Sequence, residues 1–212
     1  TPTAAFIEAG YTHMVARGQK GYNGVAILSR LPLVDAGDQD FATLGHARHV
    51  AAKLENGVTV HNFYVPAGGD VPDREVNEKF GQKLDYLADM RDWFHGDKPE
   101  KSILVGDLNI APREDDVWDH KKLLKVVSHT PIEVDKLAET QDAGQAAREE
   151  QQQRGQDQVG VAQRNEGHGA APVLVSVIVP ASMTSLRAAR RRAWASSWVT
   201  MRIAAPAAQH SL

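Results

Sequence analysis

Between residues 10 and 144 short apolar runs punctuated by glycine, proline or asparagine alternate with longer stretches in which apolar residues recur every three or four positions. A chain patterned in this way is committed to packing helices against sheet, an α/β architecture. The run Gly24-Val25-Ala26-Ile27-Leu28-Ser29 reads as a buried strand that ends near Pro32 and is opened by the turn Gly21-Tyr22-Asn23-Gly24. Residues 50–54 and 58–64 flank Glu55-Asn56-Gly57, and an Asn-Gly pair between β-rich runs predicts a hairpin because both residues tolerate a positive φ. Tyr64 then closes a strand, and Pro66-Ala67-Gly68-Gly69-Asp70 follows as a loop. Val76, Phe80, Leu84, Leu87, Met90 and Phe94 mark one face of an amphipathic helix with Asp73 as its N-cap. Ser102-Ile103-Leu104-Val105 is a strand that delivers Gly106-Asp107-Leu108-Asn109 to its C-terminal end, the edge of a sheet where active sites gather. Thr130-Pro131-Ile132-Glu133 supplies N-cap, N1 proline and N3 glutamate for a further helix, which Gly144 is expected to close.

After residue 144 the pattern breaks. Residues 146–155 are polar and rich in glutamine, without useful periodicity, and read as disorder or a frayed helix. Residues 172–180 form an apolar run fit for one buried strand, and a basic, alanine-rich tail follows from Arg187. Two regions are therefore expected, residues 1–144 as the globular domain and 145–212 as a tail of irregular fold. With 212 residues, 42% of them hydrophobic, the chain is long enough for one domain with a sizeable core. A net charge of -3 requires any nucleic-acid contact to come from a local basic patch. The absence of cysteine excludes disulfides, thiolate nucleophiles and thiolate zinc sites, and fits a reducing cytoplasm. The first residues lack a secretory pattern, and no apolar run approaches the roughly 20 residues that span a bilayer, so a cytoplasmic, membrane-free monomer is expected.

Asp107 and Asn109 stand two apart at a strand end, so their side chains can serve one anionic centre. In phosphodiester hydrolysis Asp107 can ligate a hard divalent cation or deprotonate water, while Asn109 holds a phosphate oxygen or the water in line. Taken alone, an Asp capping a turn and an Asn suited to a loop is the simpler reading. Tyr64 can donate to the same phosphate as charge develops. Lys20, Tyr22 and Asn23 offer a cation, an aromatic face and a donor for a DNA backbone, and equally serve as ordinary turn residues. Nine histidines, among them His46, His49, His61, His120 and His129, include no His-Glu-x-x-His pattern, so zinc is unsupported. Arg187, Arg190, Arg191 and Arg192 carry little weight as a phosphate-binding patch.

Three blocks in order, Gly18-Gln19-Lys20-Gly21-Tyr22-Asn23-Gly24-Val25-Ala26-Ile27-Leu28-Ser29-Arg30, then Asn62-Phe63-Tyr64-Val65-Pro66-Ala67-Gly68-Gly69, then Gly106-Asp107-Leu108-Asn109-Ile110-Ala111-Pro112, resemble the exodeoxyribonuclease III family over residues 10–142. Any one block is a weak signal; three at matching spacing are specific and reverse the reading of Asp107. The resemblance implies a partial four-layered α/β sandwich of the endonuclease/exonuclease/phosphatase type. It implies Tyr64 at the scissile phosphate, Asp107 activating water or the leaving group, Asn109 orienting the phosphate near Mg²⁺ or Mn²⁺, and Tyr22 on the DNA backbone. The implied partner is duplex DNA carrying an abasic site or a 3′ end. The implied activities are abasic-site cleavage and 3′ to 5′ nucleotide removal.

The departures shape the expectation as much as the matches. The family's opening Asn strand and its Gln-Glu-Thr segment, whose Glu binds the metal, would precede Thr1. Its closing Arg-Ile/Leu-Asp-His and Ser-Asp-His-Ala-Pro segments do not occur after Gly144, and His168 and His210 lie in unlike surroundings. The expectation is a cut N-terminus and departure from the family pattern near Gln145, through a frame change or joining error, with a degenerate paralogue as the rival. Little or no turnover is expected from such a site. A phosphoesterase of the same fold with another substrate and a non-catalytic DNA-binding remnant are the alternatives to a DNA-repair nuclease.

Overall fold

A computed structural model describes the backbone of residues 3–97, 101–158, 173–178 and 199–203, and side chains within residues 3–96 and 101–144. The Arg187 patch, His168 and His210 lie outside the described residues.

A short helix, α1 (Thr3–Glu8), leads into the antiparallel pair β1 (His13–Gly18) and β2 (Gly24–Ser29). The brief strand β3 (Leu33–Asp35) follows, then the hairpin β4 (His49–Leu54) and β5 (Thr59–Tyr64). The hairpin turn uses only one left-handed residue. Gly57 has φ 85 and its N–H returns to the Leu54 carbonyl at 2.9 Å, while the Leu54 N–H bonds to Val58 at 2.8 Å. Glu55-Asn56-Gly57 is therefore a three-residue loop in which Gly57 alone adopts the positive φ that both Asn56 and Gly57 tolerate.

α2 (Glu78–Asp97) crosses over and returns the chain to β6 (Ser102–Asp107), which runs parallel to β5, as a helical crossover demands. The predicted cap of α2 is displaced. The Asp73 carboxylate accepts from Glu75 at 2.9 Å in a preceding turn, and the helix is capped by Asn77, whose side chain accepts from Lys79 at 3.2 Å. Val76 thus falls outside the helix and is 74% exposed, whereas Phe80, Leu84, Leu87, Met90 and Phe94 are buried as their spacing predicts.

After the short α3 (His120–Leu123), α4 (Pro131–Gln158) passes straight through Gly144. Gly144 is not the stop expected of it, because one glycine costs a helix only about 1 kcal/mol while the Ala, Glu, Gln and Arg that follow are strong helix formers. Of the later apolar run, residues 173–178 form β7 (Val173–Ile178), paired with β2 and with β8 (Val199–Ile203).

The strands make two four-stranded sheets, ordered β1-β2-β7-β8 and β3-β4-β5-β6. Val15, Val25 and Ile27 of the first meet Val50, Ala52, Leu54, Val60 and Val105 of the second in one buried cluster, so the sheets pack face to face. Phe41, Phe63, Val65, Tyr86, Leu87 and Met90 form the cluster between the second sheet and α2, against which α4 also packs. Among the described residues, sheet, sheet and helix give three of the four layers expected of the sandwich. No helix of the described residues is long and apolar enough to cross a membrane.

Candidate active site

Alternation along β5 and β6 sends Val60, Asn62 and Tyr64, and likewise Ile103, Val105 and Asp107, toward the space between the sheets. The parallel register sets Tyr64 directly beside Asp107 at the C-terminal ends of the neighbouring strands β5 and β6. Gly106 makes that placement possible. Its φ is +133, and a Cβ added there would stand 1.9 Å from the Phe63 carbonyl oxygen, so only glycine fits immediately before Asp107.

Beyond the strand the chain turns sharply. Asp107 Oδ1 accepts from the Asn109 N–H at 2.9 Å, and Asn109 takes φ 51, a left-handed angle that asparagine tolerates. Asn109 Nδ2 donates to the Val65 carbonyl at 2.8 Å, and the Val65 N–H donates to the Asp107 carbonyl at 3.0 Å. Those bonds engage one carboxylate oxygen of Asp107 and the amide nitrogen of Asn109, with the half-buried Tyr64 on the adjacent strand end. The three residues read from the sequence as catalytic are brought together.

Arg48, which sequence reasoning missed, braces Tyr64. Its guanidinium lies over the Tyr64 ring, 4.8 Å from the centroid, and donates to the Tyr64 carbonyl at 3.2 Å, while the Tyr64 N–H donates to the Arg48 carbonyl at 2.7 Å. Arg48 is only 8% exposed, so it is a cation built into the site's wall. Its Nε reaches His46 Nδ1 at 3.3 Å, and burial together with the Arg48 charge lowers the His46 pKa. The Tyr22 ring packs edge-on against His46 at 5.2 Å between centroids, joining the β1–β2 turn to the same edge. Gln19 secures that turn by donating to the Gly45 carbonyl at 2.6 Å.

Of the residues read as DNA-facing, Lys20 and Tyr22 are exposed, Tyr22 by 58%. Asn23 differs: it is 5% exposed, with a buried Nδ2 that has no hydrogen-bond partner. Asn23 directly precedes β2, and its carbonyl accepts from the Gln19 N–H at 2.8 Å.

His49 and His61 belong to the core. They stack within 5.4 Å beside Phe63 and Trp93, and burial lowers their pKa values to about 3 and about 4. Gln39 donates to His49 Nδ1 at 2.9 Å, so His49 carries its proton on Nε2 and gives it to His61 Nδ1 at 3.1 Å.

A divalent cation finds an incomplete donor set here. Among the described residues no group of three His, Asp or Glu side chains could hold a metal, and Asp107 with Asn109 offers one carboxylate and one amide oxygen.

Residues 2–200 match the Endonuclease/Exonuclease/phosphatase family. The chain belongs to that family. An exodeoxyribonuclease III from Haemophilus influenzae is 31% identical over 115 residues, 51% of this chain and 42% of that protein. The 3′ phosphatase NExo from Neisseria, solved bound to product DNA hairpin, superposes with a TM-score of 0.58 at 29% identity, covering 68% of this chain and 55% of that one. An AP endonuclease from Archaeoglobus fulgidus gives a TM-score of 0.58 at 29% identity over 67% of this chain and 54% of its own. The chain thus spans about half the length of the relatives it matches. Membership makes it one of a family of phosphoester hydrolases related to exodeoxyribonuclease III and the AP endonucleases, with a mixed α/β fold shared over about two thirds of the chain.

Proposed function

We propose that the chain is a DNA-repair phosphodiesterase by descent, acting on duplex DNA at abasic sites and 3′ ends, with slow turnover. One observation carries the reading: the parallel register pairs Tyr64 with Asp107, and the Asx turn ties Asn109 to the Asp107 carboxylate while its amide bonds the carbonyl of Val65, the neighbour of Tyr64. In this reading an acid or base, an amide and a phenol serve one phosphate at the ends of two adjacent strands.

In this reading Asp107 takes the proton of the water that attacks phosphorus as the bond to the leaving sugar oxygen breaks, and its carboxylate is held in line by the Asn109 N–H. The Tyr64 hydroxyl donates to a non-bridging phosphate oxygen as negative charge grows, from a ring fixed under Arg48. Asn109 orients the phosphate, because its Nδ2 bond to Val65 fixes the plane of the amide. Exposed Lys20 and Tyr22 track the DNA backbone one loop away. Mg²⁺ or Mn²⁺, which the resemblance implies, would supply Lewis acidity when bound, and the two oxygen donors here account for only part of its shell. A second reading, a DNA-binding remnant without catalysis, draws on that incomplete donor set among the described residues.

The test is a duplex carrying a stable abasic analogue, incubated with Mg²⁺ and an excess of the chain, beside Asp107→Ala. Slow incision leaving a 3′ hydroxyl and lost in the variant supports the phosphodiesterase. Binding without incision supports the remnant, and incision at an ordinary enzymatic rate would overturn the expectation of a compromised site.

A further inference from the structure

Lys83 stands in the middle of the apolar face of α2, three residues after Phe80 and one before Leu84, and its side chain is 0% exposed. A lysine at a core position must satisfy three N–H groups without water. It does so at three places. Lys83 Nζ pairs with Glu133 Oε1 at 2.5 Å, donates to the Asn109 carbonyl at 2.7 Å and donates to the Ala67 carbonyl at 3.3 Å. Ala67 lies three residues beyond Tyr64, and Asn109 two beyond Asp107, so one ammonium joins the loops that leave both catalytic strands.

Glu133 is equally saturated. Its carboxylate also accepts from the Ser128 N–H at 2.9 Å, from the Thr130 N–H at 3.2 Å and from the Thr130 hydroxyl at 2.6 Å. The Ser128 carbonyl in turn accepts from the Ala111 N–H at 2.8 Å, returning to the segment that follows Asn109. The pair therefore holds the Asn109 turn from both sides, once through the Asn109 carbonyl and once through Ala111. Close packing restricts it further, because a Cβ on Gly68 would lie 3.0 Å from Lys83 Cδ.

We propose that Lys83, held by Glu133, is a positioning residue that sets the main-chain path of the Asn109 turn and so aims the Asn109 amide and the Asp107 carboxylate at one phosphate. The inference rests on the phosphodiesterase reading of this site for its chemical consequence and on geometry alone for its structural one. Two buried charges are a costly way to fill space: an apolar pair of similar volume commonly holds a core as well. What an apolar pair lacks is the donor that fixes the Asn109 carbonyl while asparagine holds φ 51.

That contrast defines the experiment. Lys83→Met alone strands a buried carboxylate and can fail to fold, so the informative variant is Lys83→Met combined with Glu133→Leu, compared with the unaltered chain. Three quantities are measured: the urea midpoint, the intraresidue NOE between the Asn109 amide and α protons that marks a positive φ, and single-turnover incision and binding of an abasic duplex. The expected result is a urea midpoint close to the parent's and duplex affinity within about twofold, with a weakened Asn109 NOE and incision slower by about tenfold or more. A double variant that keeps the parental NOE and incision rate would overturn the proposal and leave the pair a packing feature. If the unaltered chain makes no incision, the phosphodiesterase reading fails by itself, and the Asn109 NOE still decides whether Lys83 sets the turn.

Discussion

Mild acid should destabilise this domain through two buried histidines. His49 and His61 are 3% and 6% exposed, and burial holds them neutral down to about pH 3 and about pH 4. In the unfolded chain both protonate near 6.5. The native state is therefore at full strength above 6.5, loses stability as the pH falls below it because only the unfolded chain takes up protons, and levels off once His61 and then His49 protonate in place. At pH 5 each ring is about 1.5 pH units below its unfolded pKa, which amounts to about 2 kcal/mol per histidine and about 4 kcal/mol for the pair. That is a large share of the stability of an ordinary domain. Urea unfolding followed by circular dichroism at about pH 7.5, 6.5, 5.5 and 5 reads the effect directly, and a His49→Gln/His61→Gln variant isolates it. Asp35 and Asp119, whose pKa values are lowered by hydrogen bonds from Gly37 and from Lys122, act only in more acid solution. A parent whose stability is flat between pH 6.5 and 5, or a double variant with the parent's slope, would refute the reasoning.

Other outcomes follow from the same geometry. Gly106→Ala forces a Cβ to within 1.9 Å of the Phe63 carbonyl oxygen, so the variant should fail to fold or melt far below the parent by circular dichroism. Tyr64→Phe keeps the ring under Arg48 and removes only the hydroxyl; the urea midpoint should hold while single-turnover incision falls by about 10². Tyr22→Ala removes a 58% exposed ring and should weaken duplex binding with little change in stability, measured by fluorescence anisotropy.

Strands β2, β4, β5 and β6, the crossover helix and the meeting of Tyr64 with Asp107 and Asn109 at neighbouring strand ends were legible because each depends on local pattern. Apolar period fixed β2, β5 and β6, and the Gly106-Asp107-Leu108-Asn109 segment announced its own turn. What stayed hidden depends on partners distant in the chain. Glu133 reads as the N3 residue of a capping box, and it does accept from the Thr130 N–H, but nothing local shows that Lys83 approaches from 50 residues away. A lysine interrupting the apolar stripe between Phe80 and Leu84 was the available signal. Arg48 carried no motif at all; only the β4–β5 register puts it over Tyr64. Asn23 failed as a surface donor because exposure in a turn is decided residue by residue, and Gly144 failed as a stop because its neighbours are strong helix formers.

The most direct test of the central claim is single-turnover incision of a duplex bearing a stable abasic analogue, with Mg²⁺ and the chain in excess, for the parent and for Asp107→Ala. The geometry predicts slow incision by the parent, a 3′ hydroxyl product, and a loss of about 10² or more in the variant. A parent and an Asp107→Ala variant that incise equally, or equally fail to, would contradict the assignment of Tyr64, Asp107 and Asn109 as a working phosphodiester site.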